Sequence, residues 1–468
     1  MTKAKSTPAP AQSEETPKPK RPSTWPYAIE GGRLVRLVEK AEELEPKTIA
    51  NFAAHIAKIT TDRETGARTY TVAGVGLRGG PFSVDVPESK FNEGDLPKLL
   101  SPVAAKDFID PMWRKFLLAA IQQVTDPETI VETQRVTRPG WIGDRFVMVG
   151  RELDGYEIQS DKALPYALDA DADLDLALDA LGNLMQSAGD VGPVILASVL
   201  AAPLAERAQW HDNRYATFLH GRTGSLKTST LQCFMSIWGA NWRHDRTLLK
   251  WGPGATPNAL LALASNTGSL PLLIDNFKPN TGGGAPALVS LIHAILEGGE
   301  KRRLSQTSTL KVSRDIDCWP LFTGEDAPSA DAAAIARVLL VRLERDAAQE
   351  APELTRAQSL AAHMPAIGVA WLDFLESDNG RDAADWASGQ TDAIRSAWLA
   401  TLAKHVKGRG VNLKRLAMNL TVNQLTLQVA AECPALHDLV QPLLTQHKDT
   451  LLELAKVTAG ATAESSEG

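Results

Sequence analysis

The chain has 468 residues, 44% of them hydrophobic and 22% charged, which is enough for two or three domains each with its own core. A net charge of −7 excludes a globally basic nucleic-acid binder and leaves room only for a local cationic patch. The three cysteines, Cys233, Cys318 and Cys433, are scattered, which excludes a disulfide framework or a CxxC zinc site and suits a reducing, cytoplasmic setting. No signal-peptide core is legible, and no apolar run reads as a membrane span of about 18 residues.

Residues 1–25 are rich in Pro, Lys, Thr and Ser and read as a disordered, mildly basic arm. Residues 26–168 carry short alternating stretches. "GGRLVRLVEK" and "GPFSVDVPESKF" read as strands, "HIAKITTDRETGARTYTVAGV" as a hairpin turning between Asp62 and Gly66, and "RPGWIGDRFVMVG" as a turn between strands. "FIDPMWRKFLLAAIQQVT" has helical spacing, which makes this an α+β domain, and Trp141 is expected in its core. "DADLDLALDALGNLMQSAG" and "VGPVILASVLAAPLAERA" predict a helical pair.

From there to residue 348 strands and helices alternate: "YATFLH", "TSTLQCFMSIWG", "TLLKW", a helix from Thr256, "LPLLIDNF", "APALVSLIHAILEGG", "CWPLFTG" and "RVLLVRLE". Such alternation predicts an α/β core, a mainly parallel sheet with helices on both faces. Residues 349–458 are mostly helical and read as a lid or a separate helical domain, and 459–468 as a loose tail.

The chemistry sits in "HGRTGSLKTST". Gly221 leaves the strand, Gly224 allows a tight turn, Lys227 opens the helix and Thr228 supplies a hydroxyl, in the spacing of GxxxxGK[ST]. Backbone N–H groups and a helix N-terminus there would cradle phosphate, the lysine would neutralise the β/γ charge, and the hydroxyl would bind Mg²⁺. The run Gly221, Arg222, Thr223, Gly224, Ser225, Leu226, Lys227, Thr228 and Ser229 is therefore the expected ATP loop. Leu226 stands where the second glycine is expected, and is tolerable there if its side chain points away from the nucleotide. "LPLLIDNF" ends in Asp275, a carboxylate that would share Mg²⁺ with Thr228. Asn276 follows; an amide can orient water but cannot take its proton. Glu325 in "FTGED" is the candidate base, with a solvated turn carboxylate as the alternative.

In this order the stretches resemble a family of P-loop ATPases: the primase-associated, AAA+ (SF3-like) replicative helicases of phages, plasmids and integrative elements, typified by the DUF927 group. "YAIEGGRLVRL", "TRPGWIGDRFVMVG", "LAAPLAE", "FLHGRTGSLKTST", "LPLLIDNF", "LFTGED" and "IARVLLVRLE" carry the resemblance, over roughly residues 26–345. No primase motif is visible, so a primase would be a separate partner. The resemblance implies an AAA+/ASCE-like P-loop core, ATP and Mg²⁺ as cofactors, single-stranded DNA as partner and a homo-oligomeric ring, a hexamer. It also implies that Thr323 is the polar sensor beside the γ-phosphate and that Arg337 reaches the neighbouring subunit's phosphate. Lys301, Arg302, Arg303, Lys311 and Arg314 would then contact DNA phosphates. Two other readings stay open: a nucleotide-dependent loader or scaffold with slow hydrolysis, and a defence or regulatory ATPase.

Overall fold

The computed structural model describes residues 22–466 apart from 41–42, 104–106, 160, 162, 245–248, 253–255, 280–283, 299–314, 329–334, 345–350 and 407–411. The chain divides into two compact units, Met1–Arg135 and Val136–Gly468.

In the first unit β1 (Tyr27–Glu30), β2 (Arg33–Lys40) and β3 (Glu43–Ala50) form an antiparallel meander. Next, β4 (Phe52–Asp62), β5 (Arg68–Gly76) and β6 (Gly80–Pro87) pair antiparallel, with β7 (Val131–Val136) parallel to β4. The expected hairpin turn is built by Asp62, whose carboxylate accepts from the backbone N–H groups of Glu64 and Thr65 at 3.1 and 2.8 Å. Helices α1 (Leu96–Val103) and α2 (Leu117–Val124) bury Leu96, Leu100, Leu117 and Ile121 against Phe52, Ile56, Val72 and Val86. Helix α2 is shorter than the helical spacing of 108–125 predicts. Asp110 accepts from the N–H of Met112 at 2.8 Å and holds a turn, and a 3-10 turn at Arg114–Phe116 precedes the helix.

The second unit begins earlier than the boundary after residue 168 that the sequence suggests. The hairpin of β8 (Gly140–Ile142) and β9 (Arg145–Val147) and the short β10 (Tyr156–Ile158) lead into α3 (Leu174–Ala188) and α4 (Gly192–Arg207). Trp141, Phe146, Met148 and Tyr166 belong to the same core as those helices. The indole of Trp141 donates to the Pro203 carbonyl of α4 at 2.9 Å, and the Tyr166 hydroxyl to the carbonyl of Pro271 at 2.5 Å. The segment Leu174–Arg207 is long and apolar enough to cross a membrane, contrary to the sequence reading, but 83% of its apolar window is buried inside the protein.

Five parallel strands form the central sheet: β11 (Ala216–His220), β12 (Leu249–Lys250), β13 (Pro271–Phe277), β14 (Trp319–Gly324) and β15 (Val338–Arg342). Their order is β12-β13-β14-β11-β15. Helices α5 (Lys227–Met235), α6 (Pro257–Thr267) and α7 (Gly284–Leu296) make the connections that are described. Thr256 caps α6, accepting from the N–H of Ala259, at the start that the sequence predicts. The C-terminal helices are α8 (Pro352–Leu360), α9 (Pro365–Glu376), α10 (Asp378–His405), α11 (Leu413–Glu432), α12 (His437–Val440) and α13 (Leu444–Ser466). They form no domain of their own: Trp371, Leu425, Leu427 and Leu451 are buried in the core shared with the sheet.

Candidate functional site

A parallel sheet opens a crevice at the C-terminal ends of neighbouring strands whose onward connections run in opposite directions. Here that place is the β14–β11 pair. The chain leaves β11 for β12 at one edge, and leaves β14 for β15 at the other side of β11. Four side chains named from the sequence meet there. Thr228, in the first turn of α5, donates to the Asp275 carboxylate at 2.7 Å. Thr323, near the end of β14, donates to the same oxygen at 2.6 Å and accepts from the N–H of Asn276 at 2.8 Å. Asp275 is only 4% exposed.

Lys227, at the start of α5, is the fourth. Its ammonium donates to the carbonyls of Gly221 and Arg222 at 2.7 and 2.9 Å and to the Ser225 hydroxyl at 3.2 Å. Burial pulls this amine below the ordinary lysine value, opposed by the nearby carboxylates of Glu325 and Asp275. The loop fits closely into its surroundings. A Cβ on Gly221 would lie 2.4 Å from the Leu343 carbonyl, and Gly224 has φ +86°. Leu226 takes the left-handed conformation, φ +61°, that a glycine would adopt freely. Its side chain is half-buried and packs on the hydrophobic core, so it turns inward from the loop.

The remaining expectations fall into three groups. Arg222 and Thr223 lie exposed on the loop, and Ser229 is half-buried on α5. Glu325 follows β14, its carbonyl accepting from the N–H of Gly221 at 3.3 Å, so it stands beside the loop. Asn276 is left-handed, φ +62°, a backbone that asparagine tolerates better than most residues. Arg337 is not at this end of the sheet. Its carbonyl accepts from the N–H of Ala216 at the start of β11, and its guanidinium lies 3.4 Å from Glu297, at the end of the strands opposite Lys227. Lys301, Arg302, Arg303, Lys311 and Arg314 lie outside the described residues.

Sequence reasoning passed over two residues at this end. Arg342, the last residue of β15, is in register with His220, the last residue before the loop. Burial, with the charges of Arg342 and Lys227, holds the His220 imidazole below its ordinary value. The signal was positional: the last residue of β15 has to lie level with the last residue of β11 if those strands are neighbours, and the strand order is not written in the sequence.

ATP and Mg²⁺ can be tested against these residues. One hydroxyl and one carboxylate, Thr228 and Asp275, match the small protein share Mg²⁺ takes when phosphate and water complete its shell. The Lys227 amine, buried against carbonyls at a helix start, matches a phosphate counter-charge.

No family model matches the chain, and no curated protein matches it. Among solved structures the chain is similar to SCCmec type IV Cch, described as an active helicase. The TM-score is 0.54 at 14% identity, covering 90% of this chain and 79% of that one. At that identity the likeness is one of fold. Two structures of the NrS-1 C-terminal region align over 79% of this chain and 86% of theirs, at TM-score 0.32 and 10% and 8% identity, too low to carry an argument.

Proposed function

We propose that the chain is an ATP-hydrolysing motor of the helicase type, built on a P-loop core and moving along single-stranded DNA as a homo-oligomeric ring. The observation that carries this reading is the convergence of Lys227, Thr228, Asp275 and Thr323 at the sheet's switch point. Lys227 exchanges its loop carbonyls for β/γ-phosphate oxygens. Thr228 and Asp275 would hold Mg²⁺, whose chemistry there would be Lewis-acid withdrawal of charge from the phosphoryl group. Thr323 gives up Asp275 to donate towards the γ-phosphate, and Glu325 accepts the proton of the attacking water. Arg337, at the far end of the strands, serves a neighbouring subunit, and Lys301, Arg302, Arg303, Lys311 and Arg314 hold the DNA backbone. A separate primase fits beside such a motor in a mobile element, the role the sequence resemblance suggests.

The decisive measurement is DNA-stimulated ATP turnover with strand displacement, run beside Lys227→Ala. The expected result is ATP binding and stimulated turnover in the wild type, with both lost in the variant. Calorimetry giving the variant unchanged ATP affinity retires the reading. Asn276 favours a second reading, a slow-hydrolysing loader: ATP binding dependent on Lys227, with negligible turnover on DNA, decides for it.

A further inference from the structure

A nucleoside triphosphate has two ends, and the site described above accounts for one. Asp275 lies on β13, Thr323 on β14, Glu325 just after β14 and Thr228 at the start of α5, so on the ATPase reading they would hold the metal and face the γ-phosphate from one side of β11. With phosphates over the loop at the tip of β11, a nucleoside would have to leave on the other side of that strand, where β15 is the neighbour.

That strand ends beside the loop. The N–H of Leu343 donates to the His220 carbonyl at 2.9 Å, and the Leu343 carbonyl is what a Cβ on Gly221 would strike. The backbone of Arg342 and Leu343 is thereby fixed against the first residue of the loop. Paired residues of parallel strands point to the same face, so Arg342 stands beside His220, and the charges of Arg342 and Lys227 both bear on that imidazole. The Arg342 guanidinium pairs with Glu344 at 2.8 Å, and the side chains are 56% and 70% exposed, so both can turn to a ligand at little cost.

We propose that Arg342 and Glu344 form the nucleoside subsite of the ATP site. The planar guanidinium lies on the face of the base, and the carboxylate accepts from the ribose hydroxyls. This rests on the ATPase reading and adds to it a residue pair in the same subunit, distinct from Arg337 at the other end of β15.

Calorimetry of the full chain with ATP, ADP and inorganic tripolyphosphate tests it. Arg342→Ala should weaken ATP and ADP by roughly three- to tenfold, the range for a cation on an aromatic face, while tripolyphosphate, which has no nucleoside, changes by less than about twofold. Glu344→Gln should weaken ATP but reduce the preference for ATP over its 2′-deoxy form. Lys227→Ala, in contrast, should lose ATP and tripolyphosphate alike. If Arg342→Ala binds ATP as the wild type does, or loses tripolyphosphate in the same proportion, the subsite is wrong while the Lys227 result still upholds the ATPase reading. If Lys227→Ala keeps wild-type ATP affinity, the reading itself has failed. Retained tripolyphosphate binding by Arg342→Ala shows that the variant is folded.

Discussion

Three non-glycine residues have positive φ among the described residues, and two of them, Leu226 and Asn276, flank the candidate site. A left-handed backbone costs an ordinary L-residue about 1–2 kcal/mol, and such costs persist where the surroundings over-determine the geometry. At Leu226 the compensation is visible, since the side chain packs on the core. At Asn276 it is the residue type itself, together with the N–H bond to Thr323. Asn276→Gly should therefore leave stability within about 0.5 kcal/mol, whereas Asn276→Val, branched at Cβ, should lose about 1–2 kcal/mol. Urea unfolding of the two variants separates them, and equal midpoints would remove the backbone argument. The motif was legible in the sequence because its spacing is local. Why leucine could replace glycine was not, because the core that receives its side chain is assembled from distant segments.

Among elements, α4 has the least obvious logic in sequence. Pro203 lies inside the helix and has no N–H to give the carbonyl of Val199, four residues earlier. The indole of buried Trp238 takes that place, donating to Val199 at 3.0 Å. Trp371 donates to the next carbonyl, Leu200, at 3.2 Å, and Trp141 to that of Pro203. Three tryptophans from elsewhere in the chain thus bond carbonyls of α4, one of them the carbonyl that Pro203 leaves without its helical donor. Trp238→Phe should cost a cavity and an unpaired carbonyl, together about 2–4 kcal/mol. Pro203→Ala restores the helix's own donor, so in that background the same change should cost about 1 kcal/mol less. Additive losses in chemical denaturation would contradict the account. Helices and strands of this unit were readable from their periodicity. Its boundary was not, because what draws 136–168 into the second unit is Trp141 and Tyr166 bonding to carbonyls far along the chain.

At the scale of the whole second unit, the sequence left open whether the C-terminal helices stand apart as a lid. A buried polar chain answers it. Asn423 of α11 donates to the Val194 carbonyl of α4 at 3.0 Å and to the Tyr215 hydroxyl at 2.6 Å. His447 of α13 meets the Asn423 side-chain oxygen at 2.8 Å. Tyr215 leads directly into β11, whose other end carries the loop, so helices and sheet share one hydrogen-bonded interior.

That interior carries a proton-linked cost. Burial pushes the His447 imidazole down to about 3, so it is neutral in the folded protein, and the Nε2–H form suits the bond to Asn423. Its folded value lies below the ordinary histidine value of about 6.5, so the unfolded chain takes up the proton first. The His447 contribution is therefore fully present above about pH 6.5. It is lost as pH falls towards the folded value, by about 1.4 kcal/mol per unit. Between pH 6.5 and 5.0 the wild type should lose about 1.6 kcal/mol more than His447→Gln, which keeps a donor for Asn423 but cannot titrate. His220, also held below its ordinary value, adds a slope of the same sign to both proteins, so the comparison isolates His447. Urea unfolding at the two pH values reads the difference directly. Parallel slopes for wild type and variant would mean that His447 is solvated in the folded state and that the helices are not locked to the sheet through it.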